Sequence, residues 1–367
     1  MVRGVGYRAL GSLIVVLAIA VMASGCGGSG GSGDPSETKI AFLLPAQPVV
    51  RYLGQPGFGE KVGELCRQCK VLYDNARGSA ERQQAQAKRV LAEGADVLVL
   101  DPVDPSAASQ IAQTARSAEV PVVAYVHPTP GGKADYYVGV NGEALGNLQA
   151  EAVLAKLGEE GRPKGPIVVM TIGSGGPQDV GAHTVLRSGG VKIAQEYEIN
   201  EKASAAQAFA LAKRDMGKAI DTLGPNGFAA VLTPHDETAA GAIAAMKSAG
   251  IDPAQKPTIG AGASLAAVKR VLVGEQYISA YEANWQVRSS AARLAVRLAM
   301  GKAVPASWIT ERLAGGVPAI LPQATTVDAI NLMSTVIPYG FTKPKQLCVG
   351  RYARYCAEAK RPIHRLR

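Results

Sequence analysis

At 367 residues, with 47% hydrophobic and 5% aromatic content, the chain is long enough for two domains and too apolar to be disordered as a whole. Of its net charge of +9, two charges sit at Arg3 and Arg8, and residues 345–367 hold seven Lys or Arg against the acid Glu358, so the body between is nearly neutral. That argues against a nucleic-acid groove, which would put basic residues on the fold itself; the basic end is either a solvated tail or a surface for anionic lipid or wall polymer.

Arg3 and Arg8 precede an apolar run from Leu13 to Met22 that is short for a lasting membrane span and is followed abruptly by Gly and Ser. It reads as an export signal, residues 1–25. Met22 to Cys26 (MASGC) resembles a lipobox, so Cys26 is expected to be diacylated after cleavage, and residues 26–38, rich in Gly and Ser, read as a tether. The expected location is extracytoplasmic, with the lipid holding the protein to the membrane.

Folded sequence starts with a strand, Lys39 to Leu44, and a loop carrying Arg51 and Tyr52 that feeds a helix from Gly59 to Leu65. Four cysteines besides Cys26 remain, and in an oxidising space an even number favours disulfides, most simply the local pairs Cys66–Cys69 and Cys348–Cys356. A redox CxxC would want its first Cys at a helix N-terminus, whereas Cys66 follows a helix end; a zinc site from all four is the remaining alternative.

A strand at Val71 to Tyr73 and a helix from Ser79 to Glu93 lead to the most legible stretch, Gly94 to His127, a complete β-α-β unit. Val97 to Leu100 is a continuous apolar run, Ser106 can cap a helix with Ile111, Ala112, Ala115 and Ala118 on one face, and Val120 to Tyr125 is a second apolar run. Runs without polar alternation imply strands covered on both faces, hence a parallel sheet between helices. In such sheets ligands sit at the carboxyl ends of the strands, which here are Asp101 to Asp104 and Val126-His127.

After Tyr136 to Val140 and a helix from Asn141-Gly142 to about Leu157, a second series begins. Its expected parts are strand Pro166 to Ile172, loop Gly173 to Gln178, a helix from about Val180, helix Ser204 to Leu223 and strand Ala229 to Thr233. Asp236 then caps helix Glu237 to Ala249, before strand Thr258 to Ala261, helix Ser264 to Leu272, strand Tyr277 to Tyr281 and helix Asn284 to Met300. Two runs of β/α units predict an α/β protein of two doubly wound parallel-sheet lobes with a cleft at the strand ends. The Gly173 to Gly176 loop lacks the Lys-Ser/Thr of a phosphate loop and reads as a strand-end turn. No Ser/His/Asp elbow and no paired carboxylates stand at catalytic positions, so neither an enzyme nor a cofactor is expected.

Arg51-Tyr52, GADVLVLDPVD (94–104), ADYYVGVNGEALGNLQ (134–149), TPHDETAAGAIAAMKSAG (233–250) and LAAVKRVLVGEQ (265–276) occur in one order over some three hundred residues. Together they resemble periplasmic sugar-binding proteins of the ribose/xylose type, nearest the xylose-binding branch, the substrate-binding components of ABC importers. The resemblance implies a type I periplasmic binding protein: a monomer whose lobes are joined by three crossings near Asn141, Ala283 and Pro318 to Gln323. It gives 39–140 plus 284–320 as N-terminal lobe, 141–283 plus 321–344 as C-terminal lobe, and 345–367 as a basic, disulfide-bearing tail. A sugar would be held between lobes that close like a hinge, for delivery to an ABC permease.

Carried over position by position, the ligand site comprises Arg51, Tyr52, Tyr125, His127, Asn141, His183, His235, Asp236 and Glu282. Several departures stand out: Val126-His127 replaces the family's frequent Asp-Arg, Asn141 an Asp, His235-Asp236 an Asn-Asp, Gly262 an Asp, and Glu282 a cleft Lys. Charged sugar clamps are thinned and histidines enriched. Neutral imidazoles suit a polyol by donating and accepting hydrogen bonds; three His with Glu282 could instead bind a transition metal, though they lack ligand spacing. Tyr125 could stack on a sugar or belong to the core, and Asp236 could contact ligand or cap a helix. Other readings are a nucleoside binder, a sensor for a membrane kinase, or the sensing core of a lac-repressor-like regulator, the last opposed by an export signal where a DNA-binding helix pair would stand.

Overall fold

The computed structural model describes residues 37–45, 57–173, 175–200, 203–281, 284–337 and 342–359. Met1–Glu37 and Thr38–Arg367 separate into two units, and the architecture below is that of the second. The export-signal and Cys26 assignments, and the tether up to residue 36, lie outside the described residues.

Strands β1 (Lys39–Leu44), β2 (Lys70–Asn75), β3 (Val97–Leu100), β4 (Val122–Tyr125) and β5 (Tyr136–Val138) pair in parallel in the order β2-β1-β3-β4-β5, linked by α1 (Phe58–Leu65), α2 (Ala80–Ala92) and α3 (Pro105–Ser117). After α4 (Gly142–Glu159) a second sheet follows, built from β6 (Ile167–Ile172), β7 (Ile193–Ile199), β8 (Ala230–Leu232), β9 (Thr258–Ala261) and β10 (Ile278–Tyr281). Its helices are α5 (Pro177–Ser188), α6 (Ala205–Leu223), α7 (Asp236–Ser248) and α8 (Leu265–Leu272). The chain returns to the first sheet through α9 (Asn284–Ala299), which packs on α1, and through β11 (Glu311–Arg312) and β12 (Pro318–Ile320). It ends on the second sheet with β13 (Thr325–Val327), antiparallel to β10. The chain therefore crosses between sheets after β5, after β10 and between β12 and β13, and the two lobes are doubly wound α/β.

The apolar runs explain the layering. All four residues of β3 are buried: Leu98 and Leu100 face Val90, Ile111 and Ala115 of α2 and α3, while Val97 and Val99 face Val62, Val287 and Ala291 of α1 and α9. A strand buried on both faces loses its polar alternation, which is why it reads as a continuous hydrophobic run.

Several local readings are corrected. Asp104, not Ser106, caps α3: its Oδ1 accepts from the Ala107 N–H at 2.8 Å, and Pro105 takes the first helical position, where no N–H is needed. α5 begins at Pro177 rather than near Val180. His235 holds the cap position of α7, so Asp236 is its first helical residue rather than its cap. β7 has no counterpart among the expected strands; it is an edge strand with Glu196 and Glu198 exposed, and a half-exposed edge has no apolar run to reveal it.

Residues 345–359 of the basic tail are anchored to the second lobe by two buried side chains, while Arg351 and Arg354 stay exposed. After α10 (Leu332–Thr335), helices α11 (Pro344–Leu347) and α12 (Ala353–Ala359) bury Leu347 and Cys356 among Val268, Leu272 and Tyr281. The Sγ atoms of Cys348 and Cys356 lie 2.13 Å apart, and those of Cys66 and Cys69 2.02 Å apart. Cys66 caps the C-terminus of α1, the end whose dipole opposes a thiolate.

Helices α4 and α5 approach through two glycines. A Cβ on Gly146 would stand 1.9 Å from the Gln178 carbonyl oxygen, and one on Gly181 would stand 2.2 Å from that of Glu143. Both obstacles are backbone, so neither can yield without parting the helices. Gly146→Ala should destabilise the protein by about 1–3 kcal/mol, measured as a lower urea midpoint; an unchanged midpoint would show that α4 and α5 can separate at no cost.

Candidate functional site

The parallel sheets deliver their loops at their carboxyl edges. In the first lobe, β3 and β4 are adjacent, and their last residues lead directly into Asp101 and His127. His127 Nδ1 lies 2.7 Å from Asp101 Oδ1, with the imidazole 63% exposed and the carboxylate 14% exposed. A carboxylate accepts, so Nδ1 carries the proton and Nε2 of the neutral ring is left as an acceptor. The hydrogen bond to Asp101 raises the His127 pKa against the opposing effect of burial, while burial raises that of Asp101.

The loop beneath this pair is held by Gln83, a fully buried residue of α2. Its Nε2 donates to the Asp101 carbonyl at 2.7 Å and its Oε1 accepts from the Val103 N–H at 2.9 Å. The sequence analysis passes over Gln83; the available signal is its alignment with Ala87 and Val90 on the one buried face of a helix otherwise rich in polar residues. Tyr125 is 9% exposed and meets Phe42 edge-on at 5.3 Å, so its ring belongs to the core of the first lobe. Arg51 and Tyr52 lie outside the described residues, on the segment leaving the carboxyl end of β1.

In the second lobe the β8–α7 turn is secured in the same manner. Gln149 of α4 donates to the Thr233 carbonyl at 3.0 Å, and Gln178 of α5 donates to both Gln149 Oε1 (2.8 Å) and the Pro234 carbonyl (3.0 Å). His235 follows, half-buried, with its N–H donating to Thr238 Oγ1 at 3.2 Å. Asp236 does not present a carboxylate to a ligand: it is 1% exposed and accepts from Ser264 N (2.9 Å), Gln276 Nε2 (2.9 Å) and Ser279 Oγ (2.7 Å), tying α7 to the β9–α8 turn and β10. Burial pushes its pKa up to about 6 against those bonds.

His183 sits inside α5 rather than at a strand end. Its Nδ1 lies 2.8 Å from the Asp179 carbonyl and its Nε2 2.9 Å from Glu196 Oε1, so both ring nitrogens are engaged within the second lobe. Asn141, at the first crossing, caps α4 by accepting from the Ala144 N–H at 2.9 Å. Glu282, at the second crossing, lies outside the described residues. Among the described residues no group of three or more His, Cys, Asp or Glu side chains could hold a metal ion. A polar cavity of about 830 Å³ lined by Arg162, Asn226 and Lys256 lies at the opposite, amino edge of the second sheet, away from these loops.

Residues 41–303 match the family model described as periplasmic binding protein domain, and the chain belongs to that family. It is 28% identical over 285 residues to the D-xylose-binding periplasmic protein of Escherichia coli K12, covering 76% of this chain and 83% of that one. It is 26% identical over 347 residues to a multiple sugar-binding periplasmic protein of Azospirillum brasilense, covering 89% and 95%. Among solved structures it resembles a solute-binding protein of Bacillus halodurans with bound myo-inositol at TM-score 0.65 and 18% identity, covering 82% and 98%. A carbohydrate transporter solute-binding protein of Chloroflexus aurantiacus in complex with D-glucose gives TM-score 0.65 and 20% identity, covering 84% and 98%. The family resemblance and the two-lobed fold expected from the sequence are thus both found.

Asp179, in the first turn of α5, generates a testable pH dependence. It is 8% exposed, its buried Oδ2 has no hydrogen-bond partner, and burial pushes its pKa from 3.8 up to about 6. With the folded pKa above the unfolded one, the native state binds a proton that the unfolded chain lacks between about pH 6 and 4, so this group makes the fold more stable as pH falls through that window. Asp179→Asn should remove that contribution, lowering the unfolding free energy at pH 4 relative to that at pH 7 by roughly 2 kcal/mol against the parent; denaturant titrations at pH 7 and 4 that differ by the parental amount would contradict it.

Proposed function

We propose that the protein is an extracytoplasmic, lipid-anchored substrate-binding component of an ABC importer. It captures a small neutral polyol, a monosaccharide by preference, and does no chemistry on it. The observation that carries this reading is that two parallel sheets, joined by three crossings, each end in loops pinned from behind by buried amides, in a chain of the periplasmic binding protein family. Sugar-binding relatives support the ligand class. Arg51, Tyr52 and His127 would act from the first lobe, His235 from the second, and Asn141 and Glu282 from the crossings. A ligand touching both lobes stabilises the closed arrangement by differential affinity, and that arrangement is what a permease can recognise. With one acceptor nitrogen on His127, a ligand hydroxyl is the matching donor. No described helix is long and apolar enough to cross a membrane, so attachment would rest on Cys26. Both cysteine pairs would be oxidised in that space.

A thermal-shift screen with pentoses, hexoses, inositols and nucleosides tests the ligand class. A ligand at about a hundred times its Kd should stabilise the native state by roughly 2.7 kcal/mol. Arg51→Ala, His127→Ala and His235→Ala should each weaken its binding about tenfold, since each leaves a ligand hydroxyl unpaired. Affinity should also fall as pH drops through the raised His127 pKa, because the imidazolium has lost its acceptor. Absence of stabilisation by any of these compounds, or equal affinity in all three variants, would overturn the site. Separately, Cys26→Ala should release the processed protein from membranes, and fractionation that finds it still membrane-bound would count against the anchor.

A further inference from the structure

We infer that a groove on the first lobe, beside the place where the polypeptide enters the fold, docks this protein on an anionic lipid surface. The groove encloses about 300 Å³ and is lined by Leu65, Val296 and Met300 together with Trp308, Arg293, Arg297 and Lys302. Leu65 and Met300 are large apolar side chains left 43% and 38% exposed. Arg293 lays its guanidinium 4.3 Å above the Trp308 ring, and that of Arg297 lies 5.6 Å from it. A guanidinium stacked on an aromatic face keeps its in-plane N–H donors, which suit a phosphate. Amphipathic aromatic, exposed aliphatic and cationic groups in one groove match the headgroup boundary of a bilayer, where Trp is enriched and basic residues are drawn to anionic lipid.

The position of the groove selects this occupant. Leu65 ends α1, and five residues later Lys70 pairs with Lys39, the first residue of β1. The groove therefore lies at the amino edge of the first sheet, the edge at which the chain coming from Cys26 arrives. Twelve residues separate Cys26 from Lys39, and even fully extended the span reaches no more than about 45 Å. α9 starts at the second crossing and runs to this same edge, so Arg297, Met300 and Lys302 lie at its far end from the strand-end loops. Docking here would leave those loops directed away from the lipid.

The inference rests on the membrane-attachment reading but is tested without it, on the compact unit Thr38–Arg367, which lacks Cys26. At low ionic strength this unit should co-sediment with phosphatidylcholine vesicles containing phosphatidylglycerol and not with phosphatidylcholine alone, with a blue shift of tryptophan emission. Arg293→Glu with Lys302→Glu should lower that partitioning by at least about tenfold, while Lys302→Glu alone, at an exposed position, gives an intermediate loss without touching the Trp308 stack. Arg351→Glu with Arg354→Glu, on the basic tail, should leave partitioning unchanged. Failure to bind the anionic vesicles, equal binding by the groove variants, loss with the tail variant, or a dimer in solution that Trp308→Ala dissociates would each overturn the inference. None of these outcomes bears on whether Cys26 is acylated.

Discussion

Every strand of a parallel sheet ends on the same edge, so the turns there hold backbone N–H and C=O groups that no ladder partner can satisfy, and the rest of this structure depends on how they are paired. The protein meets the constraint with side chains sent in from neighbouring helices. Gln83 uses both ends of its amide on the turn after β3, Gln149 and Gln178 hold two successive carbonyls after β8, and Asp236 holds the turn after β9. An amide can donate and accept at once, which suits a turn exposing both kinds of group. These residues face inward, so the outward side of each turn remains available.

This division assigns the charges. Asp236 is committed to three donors and Asp179 is buried within the second lobe, so neither carboxylate is presented at the surface of the edge. The His127–Asp101 pair is the exception, with an imidazole well exposed to solvent and its tautomer fixed from behind. On the described part of the first lobe's edge, the exposed group is therefore an imidazole whose free nitrogen can accept, backed by the Asp101 carboxylate.

The fold was legible because its central strands are buried on both faces: β3, β4 and β6 read directly as hydrophobic runs, and the order of the elements gave two repeated series. β7 was not, because an edge strand exposing Glu196 and Glu198 carries no such run. Competition among neighbouring residues blurred the helix starts, as where Asp104 before Pro105 takes the cap from Ser106. The site was legible as a set of loop positions but not as a set of orientations. A sequence places Asp236 and His235 side by side after one strand, yet the first turns inward to Ser279 and Gln276 while the second remains half-exposed. His183 falls inside the helix expected from about Val180; what the sequence does not show is that its ring turns to Asp179 and Glu196 within the second lobe.

The turn that carries His127 also connects the site to the crossings. Val126 has a φ of +61°, and the His127 N–H reaches back to the Tyr125 carbonyl at 2.7 Å, a γ-turn that a β-branched residue adopts at a cost of order 1–3 kcal/mol. Surrounding bonds over-determine it: the Val126 N–H donates to Val138 and its carbonyl accepts from the Tyr137 hydroxyl at 2.7 Å. The Tyr137 hydroxyl needs room to make that bond, and Gly139 supplies it, since a Cβ there would lie 2.0 Å from the hydroxyl oxygen. Gly139 is also where the chain leaves β5 for the second lobe, with its N–H 3.4 Å from the Ile320 carbonyl, the last residue of β12 before the third crossing. The strained turn, the tyrosine and two of the three crossings therefore share one set of hydrogen bonds. A change in backbone angle at Gly139 would have to be accommodated by Tyr137, and through it by the turn that aims His127.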